Sequence, residues 1–130
     1  MIPLLSNGKI VPLWYYLYYI EPKRGLMEKR NPHYSLEEIQ SLLENEDTRF
    51  VTRSSQSTAA ELGLSVEDMI EVLQRLRREH FYKSMTSDKN PRIWQDVYHI
   101  EADCLRGPVI IYAKLQINEK AGVVISFKEK

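Results

Sequence analysis

From Phe81 to Lys130, aromatic and β-branched residues recur between short breaks at Asp88-Lys89-Asn90-Pro91, Arg106-Gly107-Pro108 and Asn118-Glu119-Lys120-Ala121-Gly122. Such residues favour strands, and Gly, Pro and Asn at the breaks favour turns, so four consecutive strands are predicted. Parallel neighbours need a crossover of a dozen or more residues; these breaks are shorter, so the strands must form an antiparallel meander.

Successive strand residues face opposite sides of a sheet. In the third strand Ile111, Ala113, Leu115 and Ile117 make an apolar face and leave Tyr112, Lys114 and Gln116 on the other. In the fourth, Val123, Ile125 and Phe127 read as the apolar set, with Ser126 and Lys128 opposite. Lys83 and Met85 share a side of the first strand, whereas Ile93-Trp-Gln-Asp-Val-Tyr98 has no clean alternation and leaves Gln95 unplaced. Tyr112 and Lys128 are therefore expected on one open face, and Trp94 and Tyr98 in the core.

The preceding segment carries helical periods. Ser35-Leu-Glu-Glu38 has capping-box spacing, and Leu36, Ile39, Leu42 and Leu43 fall on one helical face until the polar stretch Glu44 to Thr48. Phe50-Val51-Thr52 is a short strand candidate, and Ala59-Ala-Glu-Leu62 before Gly63 reads as one or two helical turns closed by a left-handed glycine. Ser65 with Asp68 caps a further helix whose stripe is Val66, Met69, Ile70, Leu73 and Leu76. Arg75, Arg77 and Arg78 suit the negative end of its dipole. The expected class is α+β, with N-terminal helices packed on one face of a C-terminal antiparallel β-meander.

A 130-residue chain fits one domain, and 43% hydrophobic with 28% charged residues is ordinary for a globular protein. Zero formal net charge argues against coating nucleic acid by bulk electrostatics. The charge is uneven, however: residues 27–70 hold four basic and nine acidic side chains, residues 71–130 eleven and eight, so an anion is expected on the C-terminal half. Cys104 is the single cysteine and no Cys/His cluster has ligand spacing, so no disulfide and no metal are expected, and a cytoplasmic setting is natural. The aromatic run Ile10 to Ile20 is about half a membrane span, is interrupted by Pro12 and lacks a cleavage signal, so membrane and signal-peptide roles are rejected.

Three blocks then stand together: Phe81-Tyr-Lys-Ser-Met-Thr86, Ile93-Trp-Gln-Asp-Val-Tyr98 and Val124-Ile-Ser-Phe-Lys-Glu-Lys130. With Met27-Glu-Lys-Arg-Asn-Pro-His33, Thr52-Arg-Ser54 and Glu61-Leu-Gly-Leu64, they resemble the motility quorum-sensing regulator (MqsR) toxins over residues 27–130. The resemblance implies a RelE-like fold, endonucleolytic cleavage of mRNA, growth arrest and neutralisation by an MqsA-like antitoxin. It carries activity over to Lys83, Gln95, Tyr112 and Lys128, and RNA contact to Met85 and His33; Lys114 joins them as an RNA-binding candidate. Residues 1–26 precede the family's usual start, which makes Met27 a candidate initiator. Glu101 to Pro108 reads as a longer, more acidic connection than the family's.

Metal-free RNA hydrolysis is simplest by attack of the 2′-hydroxyl on its own phosphate, which needs a proton acceptor, a proton donor and stabilised charge. Lys83 and Lys128 suit the developing dianion, Gln95 the phosphate or ribose, and Tyr112 proton transfer. Taken singly, these residues have plain structural readings: open-face lysines as solubilising charge, Gln95 as a cross-strand hydrogen-bonder, Tyr112 and Met85 as packing, His33 as surface. His80 and His99 have no nameable partner. Two rivals are a non-catalytic single-stranded RNA-binding module and a protein-interaction subunit docking through residues 10–20.

Overall fold

The computed structural model describes residues 27–130; the aromatic run Ile10 to Ile20 and the extension 1–26 lie outside the described residues. In chain order the elements are β1 (Glu28–Lys29), α1 (Leu36–Glu44), β2 (Arg49–Val51), α2 (Arg53–Glu61), α3 (Val66–Gln74), a 3-10 turn (Arg78–His80), β3 (Phe81–Thr86), β4 (Trp94–Cys104), β5 (Gly107–Asn118) and β6 (Ala121–Glu129). The fold is α+β.

Strands β3 to β6 form the expected antiparallel meander. Two short strands extend it to the order β1-β3-β4-β5-β6-β2, with β1 antiparallel to β3 and β2 parallel to β6. The parallel pair escapes the short-connection rule because β2 and β6 are far apart in sequence.

Helices α1 and α3 lay Ile39, Leu43, Met69 and Leu73 against Tyr98, Ile100, Ile111, Ala113, Leu115, Val124 and Phe127. Each of the fully buried leucines contributes roughly 1.5–3 kcal/mol relative to exposure. Gly122 of β6 admits this approach, since a Cβ there would sit 3.0 Å from Leu42 Cβ and 3.3 Å from Leu43 Cδ2.

Several local expectations are corrected. Ser35 Oγ accepts from the Glu38 amide at 3.2 Å, but it donates to Glu37 rather than Glu38 completing a box. The complete capping box is at Ser65 and Asp68. Helix α2 runs nine residues from the Thr52 cap, longer than one or two turns, because its Ser/Thr-rich face bonds to strand carbonyls: Ser55 Oγ donates to Val124 O and Thr52 Oγ1 to Ile125 O. Gly63 closes it at φ +79°. The end of α3 is served by Gln40 Nε2, which donates to the carbonyls of Leu73, Gln74 and Leu76, and Arg77 and Arg78 lie beyond the helix.

In β6 a bulge at Lys114/Leu115 against Ile125 moves Val124, not Val123 or Ile125, into the core beside Phe127. The stretch 101–108 is mostly strand: Cys104 pairs with Gly107 across a tight turn at Leu105-Arg106. Leu105 N donates to Leu62 O, which fixes that tip to the end of α2. Gly107 is five residues from Tyr112, roughly 17 Å along the strand.

Candidate active site

Side chains paired across antiparallel strands project to the same side. The register links Met85 with Gln95, Lys83 with Val97, Val97 with Lys114, His99 with Tyr112, and Tyr112 with Lys128. Lys83, Met85, Gln95, Tyr112, Lys114 and Lys128 therefore stand on one face, opposite α1 and α3. Gln95, which alternation left open, is placed by its partner.

A bulge in β3 shapes this face. Phe81 pairs with Tyr98 on the core side and Lys83 with Val97 on the other, so Tyr82 is the extra residue. Tyr82 and Lys83 consequently share the open face. Tyr82 stacks on His99 with centroids 4.5 Å apart and 23° between planes, and His99 is tilted against Tyr112 at 5.8 Å. The Nζ of Lys128 lies 5.3 Å from the Tyr112 ring centroid and that of Lys114 6.0 Å.

Lys83 donates to Glu28 Oε1 at 2.6 Å, and this bond raises its pKa while lowering that of Glu28. Lys83 is a fixed cation at neutral pH. Burial raises the Tyr112 phenol pKa, with Lys83 partly opposing, so the phenol stays protonated. Burial lowers the Lys114 pKa, and Asp88 of the 87–93 loop opposes that shift. The clustered cations do not make Tyr112 a base; burial outweighs them. Gln95 is 6% exposed, and its Nε2 donates to Gln116 Oε1 at 2.8 Å. That bond is the cross-strand role a glutamine ordinarily has, and it leaves one amide proton for another acceptor.

His33 is not brought to this face. It stacks on Trp94 at 5.6 Å and 20°, and its Nδ1 meets Lys29 Nζ at 2.8 Å. The segment it belongs to is held on the helical side by buried Asp96, which accepts from the amides of His33 at 3.0 Å and Tyr34 at 2.9 Å. The aspartate of the Trp-Gln-Asp block thus anchors the entry to α1.

Sequence reasoning missed Tyr82, His99, Gln116 and Asp88. A bulge leaves no trace in a hydrophobic pattern, so nothing in the sequence put Tyr82 on the same side as Lys83. Gln116 was visible in alternation, but its pairing needed the register. Among the described residues, no cluster of three or more His, Cys, Asp or Glu is placed to hold a metal ion.

Two comparisons bear on this arrangement. The family described as motility quorum-sensing regulator, toxin of MqsA, matches residues 31–129. The chain belongs to the MqsR toxin family. A relative from Escherichia coli (strain K12), the mRNA interferase toxin MqsR, is 39% identical over 104 residues, which is 80% of this chain and 100% of that protein. The MqsR match takes in every strand of the meander and with it Lys83, Gln95, Tyr112 and Lys128.

Proposed function

We propose that this protein is the toxin of a toxin–antitoxin pair: an endoribonuclease that cuts mRNA, arrests growth and is neutralised by an MqsA-like antitoxin. One observation carries the proposal beyond family membership. The register gathers Lys83, Tyr112, Lys114 and Lys128 on a single sheet face with the buried Gln95 amide beside them.

In the proposed reaction the 2′-hydroxyl passes its proton to a solvent water as its oxygen attacks the adjacent phosphorus, and the P–O5′ bond breaks, which gives a 2′,3′-cyclic phosphate and, once the leaving oxygen is protonated, a 5′-hydroxyl. Lys83 and Lys128 hold the phosphate and its growing negative charge. Tyr112, protonated at neutral pH, gives its proton to the leaving oxygen. The remaining amide proton of Gln95 fixes a phosphate or ribose oxygen. Lys114, whose burial favours the neutral amine, stands in the register row beside Tyr112 and contacts the RNA backbone. Ammonium, phenol and amide groups can divide these tasks without a metal ion.

Residues 1–26 are proposed to be an extension dispensable for cutting. The relative is matched over its whole length by 104 residues, the number from Met27 to Lys130. Met85, beside Lys83, is a proposed RNA contact; His33, whose segment is tied to Asp96 on the helical side, stands apart from this face. No helix among the described residues is long and apolar enough to cross a membrane, and the proposed site of action is the cytoplasm, where mRNA is.

The test is incubation of purified protein with single-stranded RNA in excess EDTA. Cleavage is expected; RNA that survives equimolar protein, with or without divalent cations, contradicts the proposal and favours a binding module.

A further inference from the structure

The lysines and Tyr112 account for a phosphate, yet the same face carries an aromatic pair they leave unused. Tyr82 is a large ring left 45% exposed by the β3 bulge, immediately before Lys83 in the chain. Bulges re-aim a side chain, and this one places a ring where regular alternation would have turned it into the core. One side of the ring is backed by His99 at 4.5 Å and 23°, which is offset-stacking geometry. His99 is in turn backed by Tyr112 at 5.8 Å. Three neighbouring strands therefore each give one ring to a row that runs from Tyr112 outward to Tyr82.

Such a row suits an unpaired base. A ring fixed from behind has little freedom to lose when a base stacks on its open side, and stacking accepts any base because each has a π-face. The surroundings supply what a nucleotide's other parts need. Lys83 adjoins Tyr82 and has its Nζ 5.5 Å from that ring centroid, and Lys128 lies 5.3 Å from the Tyr112 ring at the inner end of the row. Burial and Lys130 lower the His99 pKa, so the backing ring is neutral at neutral pH and stacks as an aromatic rather than repelling the lysines.

We propose that Tyr82, backed by His99, is the stacking platform for the base of a nucleotide flanking the scissile phosphate of single-stranded RNA. The proposal rests on the ribonuclease reading of the same face. It makes Tyr82 a binding residue and His99 a positioning residue.

The experiment measures binding of a short RNA spanning the mapped cleavage point, 2′-O-methylated at the attacked ribose so that it cannot be cut. Wild-type protein, Tyr82→Phe and Tyr82→Leu are compared on this RNA and on a series in which each flanking base in turn is replaced by an abasic site. Tyr82→Phe is expected to bind within about twofold of wild type and Tyr82→Leu roughly 5- to 150-fold more weakly, the usual range for one stacked base. At one abasic position the difference between wild type and Tyr82→Leu should vanish. Equal binding by Tyr82→Leu overturns the platform, and so does a deficit that persists at every abasic position, because the ring would then act only through the fold. If Tyr82→Leu does not fold, Tyr82→Gln, suited to an exposed strand position, takes its place under the same outcomes. Wild-type protein that cuts RNA while Tyr82→Leu binds normally sinks the platform alone; wild-type protein that neither binds nor cuts RNA sinks the ribonuclease reading with it.

Discussion

Tyr112 shows how burial decides a role that residue type leaves open. An ordinary phenol already titrates near pH 10, and burial on the sheet raises this one further, so it donates rather than accepts a proton at neutral pH. Tyr112→Phe is predicted to lower the single-turnover cleavage rate by roughly 10²- to 10⁴-fold with little change in RNA affinity. In the wild type, activity that depends on the protonated phenol should persist through neutral pH and fall only above pH ~10, which a rate profile would show. Tyr98 behaves differently. Its pKa is pushed up to about 12, chiefly by burial, and its hydroxyl has no hydrogen-bond partner among the described residues. The native state then holds its proton when the unfolded chain loses it, so its contribution to stability falls as pH rises above ~10. A buried polar group without a partner costs about 1–3 kcal/mol, so Tyr98→Phe should be no less stable than wild type in denaturant unfolding. That Lys83 and Met85 share a side of β3, and that Tyr112, Lys114 and Lys128 stand opposite the apolar residues of their strands, was legible in the alternation. The meeting of Tyr82 and His99 was not, since it depends on one inserted residue and on the register of β3 against β4.

At the level of elements, the sequence signal followed apolar content. The meander and helices α1 and α3 were readable because their faces are apolar at the right period. Helix α2 was mostly missed because its attachment to the sheet is by hydroxyls donating to β6 carbonyls, a pattern hydrophobic periodicity cannot register. Strand β2 was visible, but its parallel pairing with β6 was not, since nothing in either segment names a partner 73 residues away. The junction after α2 is a sensitive point. Gly63 has φ +79°, and a Cβ there would come within 2.8 Å of Leu105 Cβ. Gly63→Ala is therefore predicted to destabilise the protein by more than the ~1 kcal/mol of a left-handed non-glycine residue alone, and to loosen the β4–β5 tip from α2. Hydrogen exchange at the Leu105 amide, which donates to Leu62 O, would report that loosening directly.

The whole molecule divides its labour between two sides of one sheet. The helical side holds the core and uses Asp96 to tie the start of α1 to β4; the other side gathers lysines, phenol and amide over a base of Val97, Gln95 and Gln116. A net charge of zero hides this arrangement, because residues 27–70 carry a net −5 and residues 71–130 a net +3. RNA binding should therefore weaken with added salt despite the neutral total, with a slope that falls by about 0.7 for each of Lys83 or Lys128 changed to Ala on single-stranded RNA. A protein beginning at Met27 is expected to cut RNA as the full chain does. The decisive measurement is end-group analysis of RNA treated with wild-type protein and with a Lys83→Ala/Lys128→Ala variant in the presence of a chelator. Fragments ending in 2′,3′-cyclic phosphate and beginning with 5′-hydroxyl are predicted for the wild type, and intact RNA for a variant that melts as the wild type does. Equal cleavage by both proteins would contradict the assignment of catalysis to this face.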